Sequence, residues 1–218
     1  MQLVIGNKNY SSWSLRPWLL LTEFGIAFEE IQVRLGQDDS GAKLAQYSPA
    51  GKVPVLIDGD ITVWDSLSIC EYLSERYLDE RGWPDEPANR AAARSVSAEM
   101  HSGFTALRNE LPMNCRARRK VAFSEAVLQD IRRIDQIWSS CLTQQPPAGA
   151  WLYGRFSIAD CMFAPVVLRF NTYAVQVSDS SRKYMDTMLG NSNLNRWVSD
   201  AAKETWVTPA YEIGEEIR

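Results

Sequence analysis

The apolar positions near the start of the chain follow first a strand pattern, then a helix pattern, then a strand pattern again. Residues 2–5 form a short apolar run that predicts a buried strand. In residues 13–24 the apolar positions recur every three or four residues, which predicts a helix. Because Pro17 lacks an amide hydrogen and fits only the first helical turn, the helix should begin near residues 13–14. Alternation over residues 28–35 predicts a second strand.

A hairpin and a further helix follow in the same part of the chain. The apolar runs 53–57 and 61–64 are joined by Asp58-Gly59-Asp60, and a turn of this composition between two strands predicts a β-hairpin. Asp65-Ser66 then stand before an apolar helical pattern over residues 67–77, where either side chain suits an N-cap. The predicted order is therefore strand–helix–strand, a connection, and then strand–strand–helix.

The pattern changes after this helix. Residues 79–89 are polar and contain two prolines and a glycine, which is typical of a linker. Beyond Asn89 the periodicity predicts helices and no strands, with breaks at Pro112, at residues 144–149 and at Gly190. The helices are expected at about 88–111, 121–143, 157–174, 181–189 and 192–203.

We therefore predict an α/β domain followed by an all-α domain. The domain boundaries are expected at 1–79 for the first domain, 80–89 for the linker and 90–218 for the helical domain. Forty-five per cent of the 218 residues are hydrophobic, which is enough for a buried core in a chain of this length.

Charge and cysteine usage exclude several functional classes. The net charge of −4 gives no general attraction for nucleic acid or for an anionic membrane, so neither is an expected partner. No apolar run reaches the roughly 18 residues of a membrane span, and the first residues lack the basic region of a signal peptide. The four cysteines are scattered, as expected for free thiols of a cytoplasmic protein. With one histidine, His101, and no C-x-x-C pair, the sequence predicts no metal site.

Four segments in order along the chain resemble the signatures of cytosolic glutathione transferases. They are Tyr10-Ser11-Ser12-Trp13-Ser14-Leu15-Arg16, Lys52-Val53-Pro54-Val55-Leu56, Asp65-Ser66-Leu67-Ser68-Ile69-Cys70-Glu71-Tyr72-Leu73 and Gly154-Arg155-Phe156-Ser157-Ile158-Ala159-Asp160. The resemblance is nearest to the serine-type zeta class, which includes maleylacetoacetate isomerases. It implies a thioredoxin-like first domain, glutathione as co-substrate, no metal, and a homodimer in which the first domain of one subunit faces the helical domain of the other.

The resemblance places thiol activation on Ser11, five positions before Arg16. A hydroxyl just before a helix N-terminus can donate a hydrogen bond to a thiolate, and the helix dipole favours the same charge, so both lower the pKa of the bound thiol. Ser12 is an alternative donor whose hydroxyl could instead cap the helix, and Tyr10 is a second alternative because some transferases use a tyrosine.

The glutathione-binding residues implied by the resemblance lie in the second and third segments. Pro54 is expected to follow a cis peptide bond, and the backbone of Val53 to pair with the cysteinyl amide. Asp65 suits the γ-glutamyl ammonium, and Ser66 at the helix N-terminus suits the adjacent carboxylate. Lys52 is placed to attract the glycyl carboxylate, a role that Lys43 or Gln46 could share.

The electrophile is expected between the two domains, beside Tyr10, Met100 and Phe104. Three functions remain open at this point. The first is transfer of glutathione to an electrophilic small molecule, the second is a glutathione-dependent cis–trans isomerase of the maleylacetoacetate type, and the third is a non-enzymatic binding or regulatory protein with the same fold. The zeta class has a cysteine at the position of Trp13 and a basic residue at the position of Trp18. Because this chain departs from the zeta class at both positions, the isomerase function ranks second.

Overall fold

The computed structural model describes residues 1–143 and 149–217, and its first strand lies inside a four-stranded sheet. The strands are β1 (Gln2–Ile5), β2 (Glu29–Gln32), β3 (Val55–Asp58) and β4 (Ile61–Trp64), in the spatial order β2-β1-β3-β4. Strand β1 pairs in parallel with β2 and antiparallel with β3, and β4 pairs antiparallel with β3. The predicted strands and hairpin are confirmed, although β2 is shorter than the alternation over residues 28–35 suggested.

The side chains of β1 point alternately to the two faces of the sheet, and both faces are buried. Leu3 and Ile5 point into the main core, together with α1 (Ser12–Glu23) and α3 (Ser66–Tyr77). Val4 faces the opposite side, where α2 (Ser40–Ala45) adds a smaller apolar cluster. Successive side chains of a strand point to opposite faces, so an entirely apolar strand is one that is covered on both sides. The order β1–α1–β2 and then β3–β4–α3 is the predicted thioredoxin-like plan.

The second half of the chain is helical. Its helices are α4 (Pro87–Ser102), α5 (Thr105–Glu110), α6 (Glu125–Thr143), α7 (Ile158–Thr172), α8 (Asp179–Leu189) and α9 (Ser192–Lys203). Helix α7 is apolar on every side and buried along nearly its whole length, because it packs against α1, α4 and α8. The core therefore continues from the sheet into the helices. Residues 78–86 join α3 to α4 and overlap the predicted linker, and the division into two domains there stays a prediction.

The long helix expected at about 88–111 is interrupted. Helix α4 ends at Ser102, and α5 begins at Thr105 after Phe104, which has a left-handed φ of 60°. The Arg108 guanidinium donates hydrogen bonds to the carbonyl oxygens of Met100 and Gly103. These oxygens lie at the end of α4, where carbonyl groups have no partner within the helix. The periodicity could not reveal this break, because the apolar spacing is similar on both sides of it.

A two-stranded ladder lies among the helices, although the sequence predicted no strand after Asn89. Strand β5 (Arg119–Lys120) pairs antiparallel with β6 (Glu215–Glu216) near the end of the chain. Two residues are too few to show a period. The predicted break at residues 144–149 lies outside the described residues, apart from Gly149. Among the described residues, no helix combines the length and apolar character needed to cross a lipid bilayer.

Candidate functional site

Two cavities meet at Trp13, at the N-terminal end of α1. The first, which we name the hairpin cavity, has a volume of about 610 Å³. Its lining consists of Trp13, Ala50, Lys52, Val53, Pro54, Trp64, Asp65 and Ser66. The second, which we name the loop cavity, has a volume of about 570 Å³ and shares Trp13, Lys52 and Val53 with the first. Its remaining lining includes Asn7, Tyr10, Ser11, Ser12, Leu35, Arg108, Asn109, Pro112, Met113, Arg169, Thr208 and Tyr211.

The hairpin cavity brings together all five residues that the sequence predicted to bind glutathione. The Val53–Pro54 peptide is cis, as expected, and stands directly before β3. Lys52 is exposed at the mouth, and Ser66 is buried at the first position of α3. A cationic side chain, an extended backbone segment and a helix N-terminus thus surround one volume, an arrangement that suits a peptide with two carboxylates.

Asp65 and Ser66 form the charged end of the hairpin cavity. Asp65 is the N-cap of α3, and its Oδ1 accepts hydrogen bonds from the amides of Leu67 and Ser68 at 2.9 and 3.2 Å. The Ser66 hydroxyl accepts a hydrogen bond from the buried Arg16 guanidinium at 3.2 Å, which leaves its own proton available to a ligand. Asp65 can therefore hold an ammonium group while Ser66 and the helix N-terminus hold a carboxylate.

Ser11 is the N-cap of α1 in the loop cavity. Its hydroxyl donates to Ser14 Oγ at 2.7 Å, and its oxygen accepts from the Ser14 amide at 3.4 Å. The helix begins at Ser12, one or two residues before the predicted start, because Ser11 and not Ser12 takes the capping position. Ser12 instead accepts a hydrogen bond from the Arg169 guanidinium at 3.2 Å. Both serines are buried and line the cavity.

Tyr10 also lines the loop cavity, but other groups occupy its hydroxyl. The hydroxyl donates to Glu212 and accepts from Arg116 at 2.8 Å, so the end of the chain ties it in place. Burial, and then the hydrogen bond to Glu212, raise the pKa of Tyr10. A phenol that already donates to a carboxylate is a poor donor to a thiolate, and this favours the two serines over Tyr10.

Two residues expected beside the electrophile lie elsewhere. Met100 and Phe104 are buried in the core, 1% and 7% exposed, and the described lining of the loop cavity includes neither. The helical side of the cavity is instead formed by α5, the segment after it, and Arg169 of α7. Sequence reasoning missed these residues because the break at Gly103 turns α5 away from the line of α4. The one available signal was Arg169 itself, a charged residue inside an otherwise apolar helical run.

The loop cavity is electropositive. Burial, and then the charge of the neighbouring Arg108, lower the pKa of Arg169 to about 10. Burial also lowers the pKa of Arg108 and lowers that of Arg16 behind Ser66 to about 9. Guanidinium groups remain charged at neutral pH, so the buried Arg16 and Arg169 and the half-buried Arg108 place three cations around Trp13 and the serines. An anion in this cavity, whether a thiolate or a carboxylate, is electrostatically favoured.

Cysteine and metal chemistry have little support in the described residues. Cys70, Cys115, Cys141 and Cys161 are free and buried, and burial raises the pKa of each thiol. Their thiols are therefore protonated and unreactive at neutral pH. In residues 1–143 and 149–217, no group of three or more histidine, cysteine, aspartate or glutamate side chains is arranged to hold a metal ion.

Comparison with known families matches both halves of the chain. Residues 10–76 match the family described as glutathione S-transferase, N-terminal domain. Residues 116–199 match the family described as glutathione S-transferase, C-terminal domain. Together these matches cover more than half of the sequence and include Ser11 and Ser12, the lining of the hairpin cavity and α7.

Individual relatives carry different names. Maleylacetoacetate isomerase from Rattus norvegicus is 30% identical over 78% of this chain and 78% of its own length. A stringent starvation protein A homolog from Pasteurella multocida is 26% identical over 76% of this chain and 73% of its own length. Among solved structures, a glutathione transferase homolog from Burkholderia with bound glutathione has a TM-score of 0.71 at 22% identity, and the alignment covers 93% of this chain and 98% of that one. At this identity, the structural likeness shows the fold.

Proposed function

The chain belongs to the glutathione S-transferase family, and from this premise we propose that it binds glutathione in the hairpin cavity and activates its thiol. The activated sulfur then attacks an electrophilic small molecule held in the loop cavity. One observation carries the proposal: a site suited to a tripeptide adjoins two buried serine hydroxyls at a helix N-terminus. The buried free cysteines fit a reducing compartment, and we place the protein in the cytoplasm.

Each end of glutathione has a complementary partner in the hairpin cavity. The γ-glutamyl ammonium pairs with Asp65, and the neighbouring carboxylate takes the Ser66 hydroxyl and the N-terminus of α3. The backbone of Val53 pairs with the cysteinyl amide, and Lys52 attracts the glycyl carboxylate. This orientation directs the cysteinyl sulfur toward Ser11 and Ser12, because the two cavities meet at Trp13 and Val53.

Retention on immobilised glutathione, followed by turnover with a chlorodinitrobenzene-type electrophile, tests the proposal. We expect the wild-type protein to be retained and active, and Asp65→Ala to lose about tenfold or more in glutathione affinity because the ammonium loses its counter-charge. Asp60→Ala is the matched control, since Asp60 lies exposed in the turn of the same hairpin, away from the cavity. Retention without turnover of any electrophile would favour the non-enzymatic alternative, and failure of the wild type to bind glutathione would reject the proposal.

Glutathione-dependent isomerisation of a maleylacetoacetate-type substrate is the second candidate. The observation that favours it is a pair of guanidinium groups, the half-buried Arg108 and the buried Arg169, on the wall of the loop cavity. Such a substrate bears carboxylates, which guanidinium groups bind well. Including maleylacetone in the electrophile panel separates the two candidates, because isomerisation regenerates free glutathione whereas conjugation consumes it.

We also propose that two copies of the chain form a homodimer. Ile61 of β4 and Tyr77 of α3 are large apolar residues that lie exposed beside Asp58, and exposed apolar side chains that neighbour each other are typical of a surface that a partner covers. Sedimentation equilibrium should give twice the 24.7 kDa mass of one chain. A monomer at micromolar concentration would contradict the dimer without affecting the glutathione site.

A further inference from the structure

The single histidine of the chain contacts the charged end of the hairpin cavity. His101 is on the last turn of α4, and its Nε2 lies 3.0 Å from Asp65 Oδ2. The Trp13 ring packs edge-on against the imidazole, with 5.3 Å between ring centroids, and so fixes the plane of the histidine ring. One side chain from the helical half of the molecule thus reaches the residue proposed to bind the γ-glutamyl ammonium.

The two oxygens of Asp65 have separate tasks. Oδ1 caps α3 through two backbone amides, so the position of this oxygen is set by the helix. Oδ2 contacts His101 and is the oxygen left for a ligand. A carboxylate oxygen has room for two donors, so a donor fixed on one side of Oδ2 determines the direction from which a second donor approaches. His101 is that fixed donor.

The surroundings of the imidazole favour its neutral form with the proton on Nε2. Nδ1 is buried and has no hydrogen-bond partner among the described residues. Leaving the Nδ1 lone pair of the neutral ring without a partner costs less free energy than leaving the Nδ1–H of a cationic ring without one. The charged groups acting on the ring are Asp65 at the cap of α3, Arg16 of α1 and Arg108 of α5. Burial outweighs Asp65, and the pKa of His101 is lowered. The surface depression beside the ring also contains the acidic residues Glu71 and Glu75 of α3.

We propose that His101 is a positioning residue for glutathione, in which the neutral imidazole orients Asp65 to receive the γ-glutamyl ammonium. The inference rests on the proposed function of the hairpin cavity. When the ring is protonated at acidic pH, it forms a full ion pair with Asp65 and repels the ammonium. Glutathione binding should therefore weaken as the pH falls through the pKa of His101, while the chemistry at the sulfur uses other residues.

The test measures binding of S-methylglutathione by calorimetry, because this probe has no thiol to titrate. We expect His101→Ala to weaken binding about fivefold to tenfold at about pH 7.5, and His101→Gln to recover most of the loss, since its amide can donate to the same oxygen. With the unmodified thiol, the Ala variant should raise the KM for glutathione and leave kcat within about twofold. Ser102→Ala is the matched control, because it changes an exposed neighbour on the same helix turn.

The pH dependence of binding distinguishes a positioning role of His101 from a purely structural one. The wild type should bind S-methylglutathione progressively more weakly as the pH is lowered below the ordinary histidine pKa of about 6.5, and His101→Gln should show no such change. Unaltered binding in His101→Ala, an absence of rescue by glutamine, or the same pH dependence in His101→Gln would overturn the inference. If the wild type binds glutathione in all these cases, the proposed function survives and only the role of His101 is rejected.

Discussion

Ser11→Ala is expected to lower turnover at neutral pH by tenfold to about a hundredfold while glutathione still binds. A free cysteine thiol has a pKa near 8.5, and lowering it by about two units stabilises the thiolate by about 2.7 kcal/mol. Ser11 lies at the N-cap of α1 and lines the loop cavity, where its hydroxyl can turn from Ser14 toward a sulfur anion. Ser14 Oγ keeps its hydrogen bond from the Gly6 amide at 3.1 Å when this happens.

The measurement is the pH dependence of the bound thiolate, followed by its ultraviolet absorbance, alongside kcat and the KM for glutathione. In Ser11→Ala the apparent thiol pKa should rise toward its free value, and kcat should recover when the pH is raised. Ser11→Thr retains both a hydroxyl and a capping oxygen, and should keep most of the activity. Since the alanine variant also loses the cap, its thermal unfolding is recorded to separate stability from turnover.

Ser12→Ala distinguishes the two serines. Ser12 accepts a hydrogen bond from Arg169 and so has its proton available to a ligand, which makes it the rival donor. We expect a smaller loss of turnover in Ser12→Ala than in Ser11→Ala. The opposite order would move thiol activation to Ser12, and full activity in both variants would remove the serines from the proposed chemistry.

Asp160→Ala is expected to lower the free energy of unfolding by about 3 kcal/mol at about pH 5. Asp160 is completely buried in the first turn of α7. Its carboxyl group accepts hydrogen bonds from the Ser157 amide at 2.8 Å, the Ser157 hydroxyl at 3.0 Å and the Leu152 amide at 3.2 Å. Alanine would leave these donors buried without an acceptor, next to the helix that connects both halves of the core.

Glu86→Ala provides the matched control for this variant. Glu86 is the N-cap of α4 and accepts a hydrogen bond from the Asn89 amide at 2.7 Å, but it is exposed, so its removal should cost much less than the loss of the buried Asp160 carboxyl group. Urea denaturation followed by circular dichroism measures both variants. A loss in Asp160→Ala no larger than that in Glu86→Ala would show that the buried hydrogen bonds contribute little.

The stability difference between wild type and Asp160→Ala should also depend on pH. Burial raises the pKa of Asp160 to about 6 from the ordinary 3.8, so the folded protein holds this proton more tightly than the unfolded chain does. The contribution of Asp160 is then fully present below about pH 4 and decreases as the pH rises through about 6. The two proteins should differ most at acidic pH, and a difference that grows above pH 6 would mean that hydrogen bonding outweighs burial.

The sequence by itself determined the thioredoxin-like half, and its resemblance to the family implied five of the residues that line the hairpin cavity. The signals there are local: a strand period, a helix period, an Asp-Gly turn and the cap formed by Asp65 lie within a few residues of the structure that they specify. Lys52, Val53, Pro54, Asp65 and Ser66 line one cavity because the two ends of a single hairpin place them there. The Asp160 carboxyl group accepts a hydrogen bond from the Ser157 amide for the same reason, since the two residues are only three positions apart.

Only the tertiary structure decided what surrounds the serines and Tyr10 at the start of α1. Arg169 reaches Ser12 across 157 positions of the chain, Glu212 holds Tyr10, and His101 contacts Asp65. Met100 and Phe104 shared the apolar spacing expected of cavity residues, yet they pack into the core because the chain turns at Gly103. Periodicity tells which residues share a face of a helix, but which neighbour covers that face depends on packing between elements that are distant in sequence.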